Sequence, residues 1–314
     1  MDRVDEAALM PKEAALEDLH AAVAAYNASR GGVTHHMYIR VVLIFGGFLV
    51  FAGFASYLAI TEIESDVVGI VLGLLFVAGG FVWRFALAPA REFQQNLRDR
   101  MLPIVFGFVD RVQYVHGATP RFLSGMPDKD FVRRSRSEHG DMIAGKHDGL
   151  AFTLSETELS TGSGKSRETT FKGVIFHFER EDAFPGLLLA ARKPNAVHRF
   201  MRNLFGGTAL ALVTSGNPEV DASHEFRTDR PEAATPLVQG TLAKALDYLA
   251  SEWRDDVVRI ALNQRQCYLL VPTKKDFFEL PSVDTPIDFD RHIRPMIRDL
   301  VLLLATAQLV RKIG

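Results

Sequence analysis

The chain has 314 residues, a formal net charge of -2 at pH 7 and 47% hydrophobic residues. This near-neutral charge gives no reason to expect a nucleic-acid partner, because domains that bind nucleic acids are commonly basic. Cys267 is the only cysteine, which excludes an internal disulfide and any metal site built from several cysteines.

Residues 1–36 are predicted to form an amphipathic helix followed by a linker. Apolar side chains between Leu9 and Tyr26 recur at spacings of three, four and seven, the repeat of a helix with one apolar face. Gly31 and Gly32 are expected to break this helix. Because its polar face is acidic, we expect it to dock on the soluble part of the chain and not on anionic lipid.

Residues 37–90 are predicted to form a transmembrane helical hairpin. Two apolar runs, 38–60 and 67–88, each have about 20 residues, the length that a helix needs to cross a hydrocarbon core. The first run is too long for a signal peptide and follows a mixed-charge segment, so a retained membrane helix is the better interpretation.

The distribution of charge predicts how the hairpin is oriented. The loop at 61–66 has three acidic residues and no lysine or arginine, whereas arginines flank the opposite ends of both runs. By the positive-inside rule, both termini then face the cytoplasm. Neither run has an ionisable residue near its middle, and this favours an anchor over a transport pathway.

Five glycines of the hairpin are candidates for helix packing. Gly69 and Gly73 form a GxxxG motif with Gly80 one heptad beyond, and Gly46 and Gly53 have the same heptad spacing in the first run. Small residues on one face let two backbones approach closely. Packing of the two helices within one chain is the favoured interpretation, and a homo-oligomer through the Gly69 and Gly73 face stays open.

Beyond the hairpin, the sequence predicts a membrane-proximal helix at 91–116, with a kink at Pro103, and a cytoplasmic α+β domain at 117–314. Strand-like segments include Phe152 and Leu154 and the ranges 170–179, 186–191, 208–214, 257–262 and 267–271. Helices are predicted at 236–253 and 293–312. The fold class is therefore α+β, an N-terminal two-helix transmembrane hairpin followed by a mainly antiparallel β-sheet soluble domain with packed helices.

The segment Gly162-Ser163-Gly164-Lys165-Ser166 invites a phosphate-binding interpretation. A P-loop needs a glycine five positions before Gly164 and a helix after the loop, but Leu159 stands there and strand-like residues follow. A hairpin turn is therefore expected. Cys267 lies in an apolar strand and is expected to be a buried hydrophobe, not a nucleophile.

The densest polar group combines residues 138–141 with His147 and Asp148. Surface-loop residues are the favoured explanation, and a metal site using Asp141, His139 and His147 is the alternative. No ligand pair of a known metal motif is present. We therefore expect no cofactor and no metal, and we identify no catalytic residue.

The order of residues across 141–186 resembles a family of bacterial membrane proteins, domain-of-unknown-function family three-one-three-seven. The residues that carry the resemblance are Asp141 and Gly145, the segment FTLSETEL at 152–159, then Phe171, Lys172, Gly173, Phe176, Phe184 and Gly186. The resemblance runs from the hairpin to about Leu280 and implies no activity, substrate, cofactor or functional residue. The bulge or close strand approach expected at Gly173 is a folding feature.

These observations favour a membrane-anchored cytoplasmic binding or scaffold protein in the inner (plasma) membrane of a bacterium, with several spans and both termini in the cytoplasm. Its expected partners are the lipid bilayer and a protein that the sequence does not identify, with no nucleic acid. The alternatives are a membrane-tethered enzyme such as a metal-dependent hydrolase and an oligomeric membrane assembly factor.

Overall fold

The computed structural model describes residues 10–62, 65–128, 130–194, 210–282 and 285–311. The chain divides into two compact units. One, the helical unit, comprises Leu16–Ile104 and Leu280–His292. The other, the sheet unit, comprises Met1–Ala15, Val105–Glu279 and Ile293–Gly314.

Three helices account for most of the helical unit: α1 (Glu13–Glu62), α2 (Ser65–Ala86) and α3 (Ala88–Val105). The break expected at Gly31 and Gly32 is wrong, because α1 continues through both glycines. A glycine inside a helix costs only about 1 kcal/mol relative to alanine. The helical turns on both sides of the two glycines contain no proline and offset that cost.

Both α1 and α2 are long and apolar enough to cross a membrane, and no residue is buried in the apolar 18-residue window of either helix. Phe76 illustrates this, since 85% of its surface is exposed. Proteins in water rarely expose apolar patches of such extent. The two helices could therefore cross a membrane, which agrees with the predicted hairpin.

The contact between α1 and α2 is aromatic. Phe45 meets Trp83 edge to face, with ring centroids 5.0 Å apart. Gly79 makes room for Phe48, whose Cε1 would lie 3.0 Å from an added Cβ. The five glycines singled out above have open space instead, because a Cβ at Gly46, Gly53, Gly69, Gly73 or Gly80 would meet no atom within 4 Å. Their role in packing stays a prediction.

The first part of α1 docks on the C-terminal segment of the helical unit, in line with the expected docking helix. The Asn27 side chain pairs with the backbone of Ile287, donating from Nδ2 to the carbonyl at 2.8 Å and accepting the N–H at Oδ1 at 2.9 Å. The His20 ring lies 3.9 Å from the Phe289 ring, measured between centroids.

The helix predicted at 91–116 is wrong in its second half. Helix α3 ends at Val105, two residues after Pro103, which cannot donate a backbone hydrogen bond. From Asp110 the chain forms a strand whose backbone groups pair with the next strand. The apolar residues of this segment therefore belong to a strand and not to one face of a helix.

The strands of the sheet unit, within the described ranges, form one nine-stranded sheet in which neighbours are antiparallel. They are β1 (Asp110–His116), β2 (Arg136–His147), β3 (Leu150–Thr161), β4 (Glu168–Glu179), β5 (Leu187–Arg192), β6 (Ala211–Val213), β7 (His224–Thr228), β8 (Arg259–Asn263) and β9 (Gln266–Pro272). Their order is β1-β2-β3-β4-β9-β8-β5-β7-β6. The predicted α+β fold with a mainly antiparallel sheet is confirmed.

The helices of the sheet unit are α4 (Pro218–Ser223), α5 (Pro231–Leu237), α6 (Ala243–Glu252) and α7 (Arg294–Arg311). The single helix predicted at 236–253 is interrupted by a π-helical turn, in which Gly240 has non-helical dihedral angles. Strand β7 was not predicted, because its five residues include charged and polar side chains. Residues 208 and 209 of the strand predicted at 208–214 lie outside the described residues.

Both faces of the sheet are covered. On one face, Phe131 and Leu123 from the segment between β1 and β2 pack against Ile175 and Leu270. On the other, α7 contacts β4 and α6. Helix α7 is buried over most of its length, as expected for a core helix.

Candidate functional site

A β-bulge in β2 begins the candidate site. The pairing of β2 with β3 shifts register between His139 and Met142, and bulges of this kind re-aim side chains. Asp141 lies in the bulge, and only 1% of its surface is exposed. Residues 138–141 are therefore part of a strand, so the surface-loop interpretation of this segment is wrong.

Three carboxyl groups meet beside the bulge. They belong to Asp141, to Glu156 on β3 and to Asp276 on the segment after β9, and their oxygens lie within 4.8 Å of one another. We call this group the carboxylate cluster. Asp141 and Glu156 are 15 residues apart in the sequence, and Glu156 and Asp276 are 120 apart. The order of the strands brings the three residues together.

Backbone N–H groups hold Glu156 in place. Its Oε1 accepts hydrogen bonds from the N–H groups of Phe277 and Phe278, the second at 3.3 Å. Its Oε2 accepts from the Asp141 N–H at 3.4 Å. Gly140 allows this approach, since a Cβ there would lie 2.9 Å from Oε2 of Glu156.

The surroundings of Glu156 favour its protonated form. Burial raises the pKa of Glu156 to about 8, assisted by the hydrogen bond with Asp276 and by the charges of Asp276 and Asp141. The hydrogen bond from Phe277 opposes this rise. Two carboxyl groups this close cannot both ionise cheaply, so Glu156 keeps its proton near neutral pH.

Asp141 is held from the opposite side by β1. Its Oδ1 accepts a hydrogen bond from the Tyr114 hydroxyl at 2.6 Å and lies 2.5 Å from Nδ1 of His116. The His116 side chain is about half exposed, at 48%. The His116 ring is therefore reachable from solvent, while its partner Asp141 is buried.

The cluster opens into a cleft of about 360 Å³. Glu156 and Asp276 line it together with Lys172 and Lys274. Carboxylate oxygens are the ligands that hard divalent cations prefer, and a carboxyl group with a pKa near 8 can also act as a general acid or base near neutral pH. The arrangement is thus suited to cation binding or to proton transfer.

The histidines proposed as metal ligands are not members of the carboxylate cluster. His139 lines the same cleft, but its Nδ1 is 3.3 Å from the Thr157 hydroxyl and its Nε2 is 3.1 Å from the Ser137 hydroxyl. His147 lies at the far end of β2, with its ring 5.7 Å from that of Phe108. Of the three residues of that hypothesis, the cluster contains Asp141 alone.

Sequence reasoning missed Glu156 and Asp276. Glu156 carries only a weak signal, since the same strand also contains Glu158 and several serines and threonines. Asp276 carries none, because a single aspartate in a polar loop is commonplace. Only the pairing of β3, β4 and β9 brings its loop to the cleft.

Two expectations about other motifs are confirmed. The residues Gly164–Ser166 form a short 3-10 turn between the paired strands β3 and β4, so this segment is a hairpin turn. Cys267 has 1% of its surface exposed. Burial raises the pKa of its thiol, as expected for a small hydrophobe and not for a nucleophile.

Comparison with known proteins gives a match to one protein family. Residues 169–312 match the family described as "Protein of unknown function (DUF3137)". The match begins in β4 and includes α7 and Asp276, but Asp141 and Glu156 precede it. No curated protein and no solved structure matches the chain. Residues 169–312 are thus similar to the DUF3137 family of proteins of unknown function, and the match spans a little less than half of the chain.

Proposed function

We propose that this protein is a binding or scaffold protein that α1 and α2 anchor to a membrane, with the sheet unit in the cytoplasm. The observation that carries the proposal is the unburied apolar surface of both helices. Transfer of this surface from water to lipid is favourable, and two helices satisfy their own backbone hydrogen bonds in the bilayer.

The positions of the arginines support the orientation. Arg40 follows the polar part of α1, and its guanidinium carbon lies 5.4 Å from the centroid of the Phe85 ring. Arg84 lies in the last turn of α2. Both are at the ends opposite the acidic loop, where they would meet the cytoplasmic headgroups. We infer the plasma membrane of a bacterium from the family resemblance.

Cysteine labelling tests this orientation directly, because the native background is low. Cys267 is buried and its pKa is raised, so it should not react with a maleimide in the folded protein. Thr61→Cys places a thiol next to the acidic loop, and Ser166→Cys places one on the exposed β3–β4 turn.

In intact cells, a membrane-impermeant maleimide should label Thr61→Cys and leave Ser166→Cys unlabelled until the membrane is opened. The wild type is the control and should stay unlabelled in both conditions. Labelling of Ser166→Cys in intact cells would reverse the orientation. Recovery of the wild type in the soluble fraction would overturn the membrane anchor.

A second candidate function is a membrane-tethered, metal-dependent hydrolase, and the carboxylate cluster is the observation that favours it. Asp141, Glu156 and Asp276 would supply oxygen ligands to a divalent cation such as Mg²⁺ or Mn²⁺. The cation would displace the proton on Glu156, since both occupy the same oxygens.

Calorimetric titration with Mn²⁺ at pH 7, in two buffers of different ionisation enthalpy, tests this candidate. We expect a binding heat that reports the release of up to one proton, and we expect Glu156→Gln to abolish binding. Glu179→Gln, on β4 outside the cluster, should bind as the wild type does. Absence of a binding heat in the wild type would remove this candidate and leave the anchored binding protein untouched.

A further inference from the structure

A second cavity lies at one end of four neighbouring strands of the sheet. β4 and β8 begin there, while β9 and β5 end there. The cavity has a volume of about 500 Å³ and is lined by residues of these strand ends and of the segments at 255–256 and 273–274. It adjoins the cleft described above but contains no member of the carboxylate cluster.

Arg259 is the unusual residue of this cavity. Only 7% of its surface is exposed. Its Nη2 donates a hydrogen bond to the Thr170 carbonyl at 3.3 Å. Its Nε has no hydrogen-bond partner within the described part of the chain. An N–H that is buried without an acceptor costs free energy, and more so on a charged group.

The charge of Arg259 is not compensated locally. Burial, the largest effect, and the nearby Arg192 lower the pKa of its guanidinium, and only Asp256 opposes them. The Oδ2 of Asp256 is already paired with Arg192, whose Nη1 lies 3.1 Å away. An arginine keeps its proton in proteins, so the charge stays and must be balanced.

The other groups of the cavity add to the positive charge. Lys172, Arg192 and Lys274 line it with Arg259, against the two carboxylates of Asp255 and Asp256. Asp255 accepts a hydrogen bond from the backbone N–H of Lys274 at 3.1 Å. The lining groups therefore have an excess of two positive charges, although Lys172 also has Glu158 Oε2 at 3.8 Å from its Nζ. This excess suits an anionic phosphate group.

We propose that this cavity binds the phosphate group of an anionic ligand, with the Arg259 guanidinium as its main recognition group. A guanidinium presents N–H donors in a planar fork that fits two phosphate oxygens. The phosphate supplies negative charge beside the buried guanidinium of Arg259. Lys172 and Lys274 contribute attraction from the mouth of the cavity, where their side chains are exposed.

The test is thermal unfolding of the full chain in a neutral detergent, with inorganic phosphate replacing chloride at constant ionic strength. Phosphate should raise the melting temperature of the wild type. Arg259→Met should weaken the apparent affinity for phosphate at least about tenfold, because methionine has a similar length to arginine but lacks the charged hydrogen-bond donors. Without phosphate, this variant should melt no lower than the wild type, since the uncompensated buried charge is gone.

Arg265→Met is the matched control. Arg265 lies in the β8–β9 hairpin at the opposite end of these strands, and its Nη2 donates to the Glu181 carbonyl at 2.6 Å. This variant should keep the full phosphate response. If Arg259→Met does not fold, the exposed pair Lys172→Gln and Lys274→Gln replaces it and must weaken the phosphate response.

A second arm distinguishes free phosphate from a lipid headgroup. Micelles doped with phosphatidic acid are compared with micelles doped with phosphatidylcholine. An Arg259-dependent rise with inorganic phosphate supports a soluble phosphate compound, and one seen with phosphatidic acid alone supports a headgroup. A wild type that responds in neither arm, or an Arg259→Met variant that responds as the wild type does, overturns the proposal.

Discussion

Replacing Glu156 with glutamine should change how the stability of the sheet unit depends on pH. In the folded protein the pKa of Glu156 is raised from the ordinary 4.5 to about 8. Between these two values the folded state keeps a proton that the unfolded state has released. The contribution of Glu156 to the free energy of unfolding is therefore highest below pH 4.5 and is lost as the pH rises to about 8.

The size of the loss follows from the same two values. The interval from 4.5 to 8 corresponds to at most about 5 kcal/mol of unfolding free energy, at 1.36 kcal/mol for each pH unit. Because the range from pH 5 to pH 8 lies inside this interval and does not cover all of it, we expect about 2–4 kcal/mol of the loss within that range. Glutamine has no proton to lose, so this contribution should vanish in Glu156→Gln.

The assay uses a single tryptophan. The chain has two tryptophans, and a Trp83→Phe background leaves Trp253, which follows α6 in the sheet unit. Its fluorescence is followed during denaturation of the detergent-solubilised chain in urea from pH 5 to pH 8. The difference between Glu156 and Glu156→Gln at each pH isolates this carboxyl group, since all other titrating groups are common to both proteins.

The control is Glu179→Gln, which removes a carboxylate of the same sheet outside the cluster and should keep the wild-type slope. If Glu156→Gln also keeps that slope, Glu156 does not hold a proton in the folded protein.

Three further predictions concern packing. Gly173→Ala should cost at least about 2 kcal/mol, because Gly173 has a φ of 152° and an added Cβ would lie 2.2 Å from the Val271 carbonyl oxygen; urea denaturation measures the loss. Asn27→Ala should speed hydrogen exchange at Ile287 about five- to tenfold, since that backbone loses two hydrogen bonds. If copies of the chain associate through the Gly69 and Gly73 face, Gly73→Leu should lower the molar mass in detergent measured by light scattering, and an unchanged mass would rule that interface out.

Sequence patterns predicted those elements whose signal is local. The strands around Phe152 and Phe176 alternate apolar and polar residues over short stretches and are rich in aromatic and β-branched residues, and they pair as β3 and β4. The close strand approach expected at Gly173 is also present, against β9. Glycine, aromatic and β-branched residues carry this information without reference to distant parts of the chain.

Local sequence patterns gave wrong predictions where a longer-range effect competes with them. Gly31 and Gly32 were treated as a helix break, yet α1 continues because the turns on both sides favour it. The segment after Val105 was read as helical, yet the pairing of β1 with β2 decides its structure. In both cases a longer-range effect outweighs the local preference of a few residues.

The candidate site was less predictable than the fold. Asp141 could be singled out by its acidic and histidine neighbours, but its partners are a glutamate inside a strand and an aspartate in a loop. Arg259 gave no signal at all, since burial of an arginine is visible only once the strand ends are placed. Sites assembled from separate strands depend on register, which a single sequence does not specify.

The continuity of α1 has a mechanical consequence. The stretch from Glu13 to the start of the apolar run at 38 has about 25 residues and is about 37 Å long at 1.5 Å per residue. It forms a rigid arm in place of a flexible tether. A change of 10° in the tilt of the apolar part would displace the far end of the arm by about 6 Å. If α1 crosses a membrane, a change in bilayer thickness that alters its tilt would move the contact between Asn27 and Ile287.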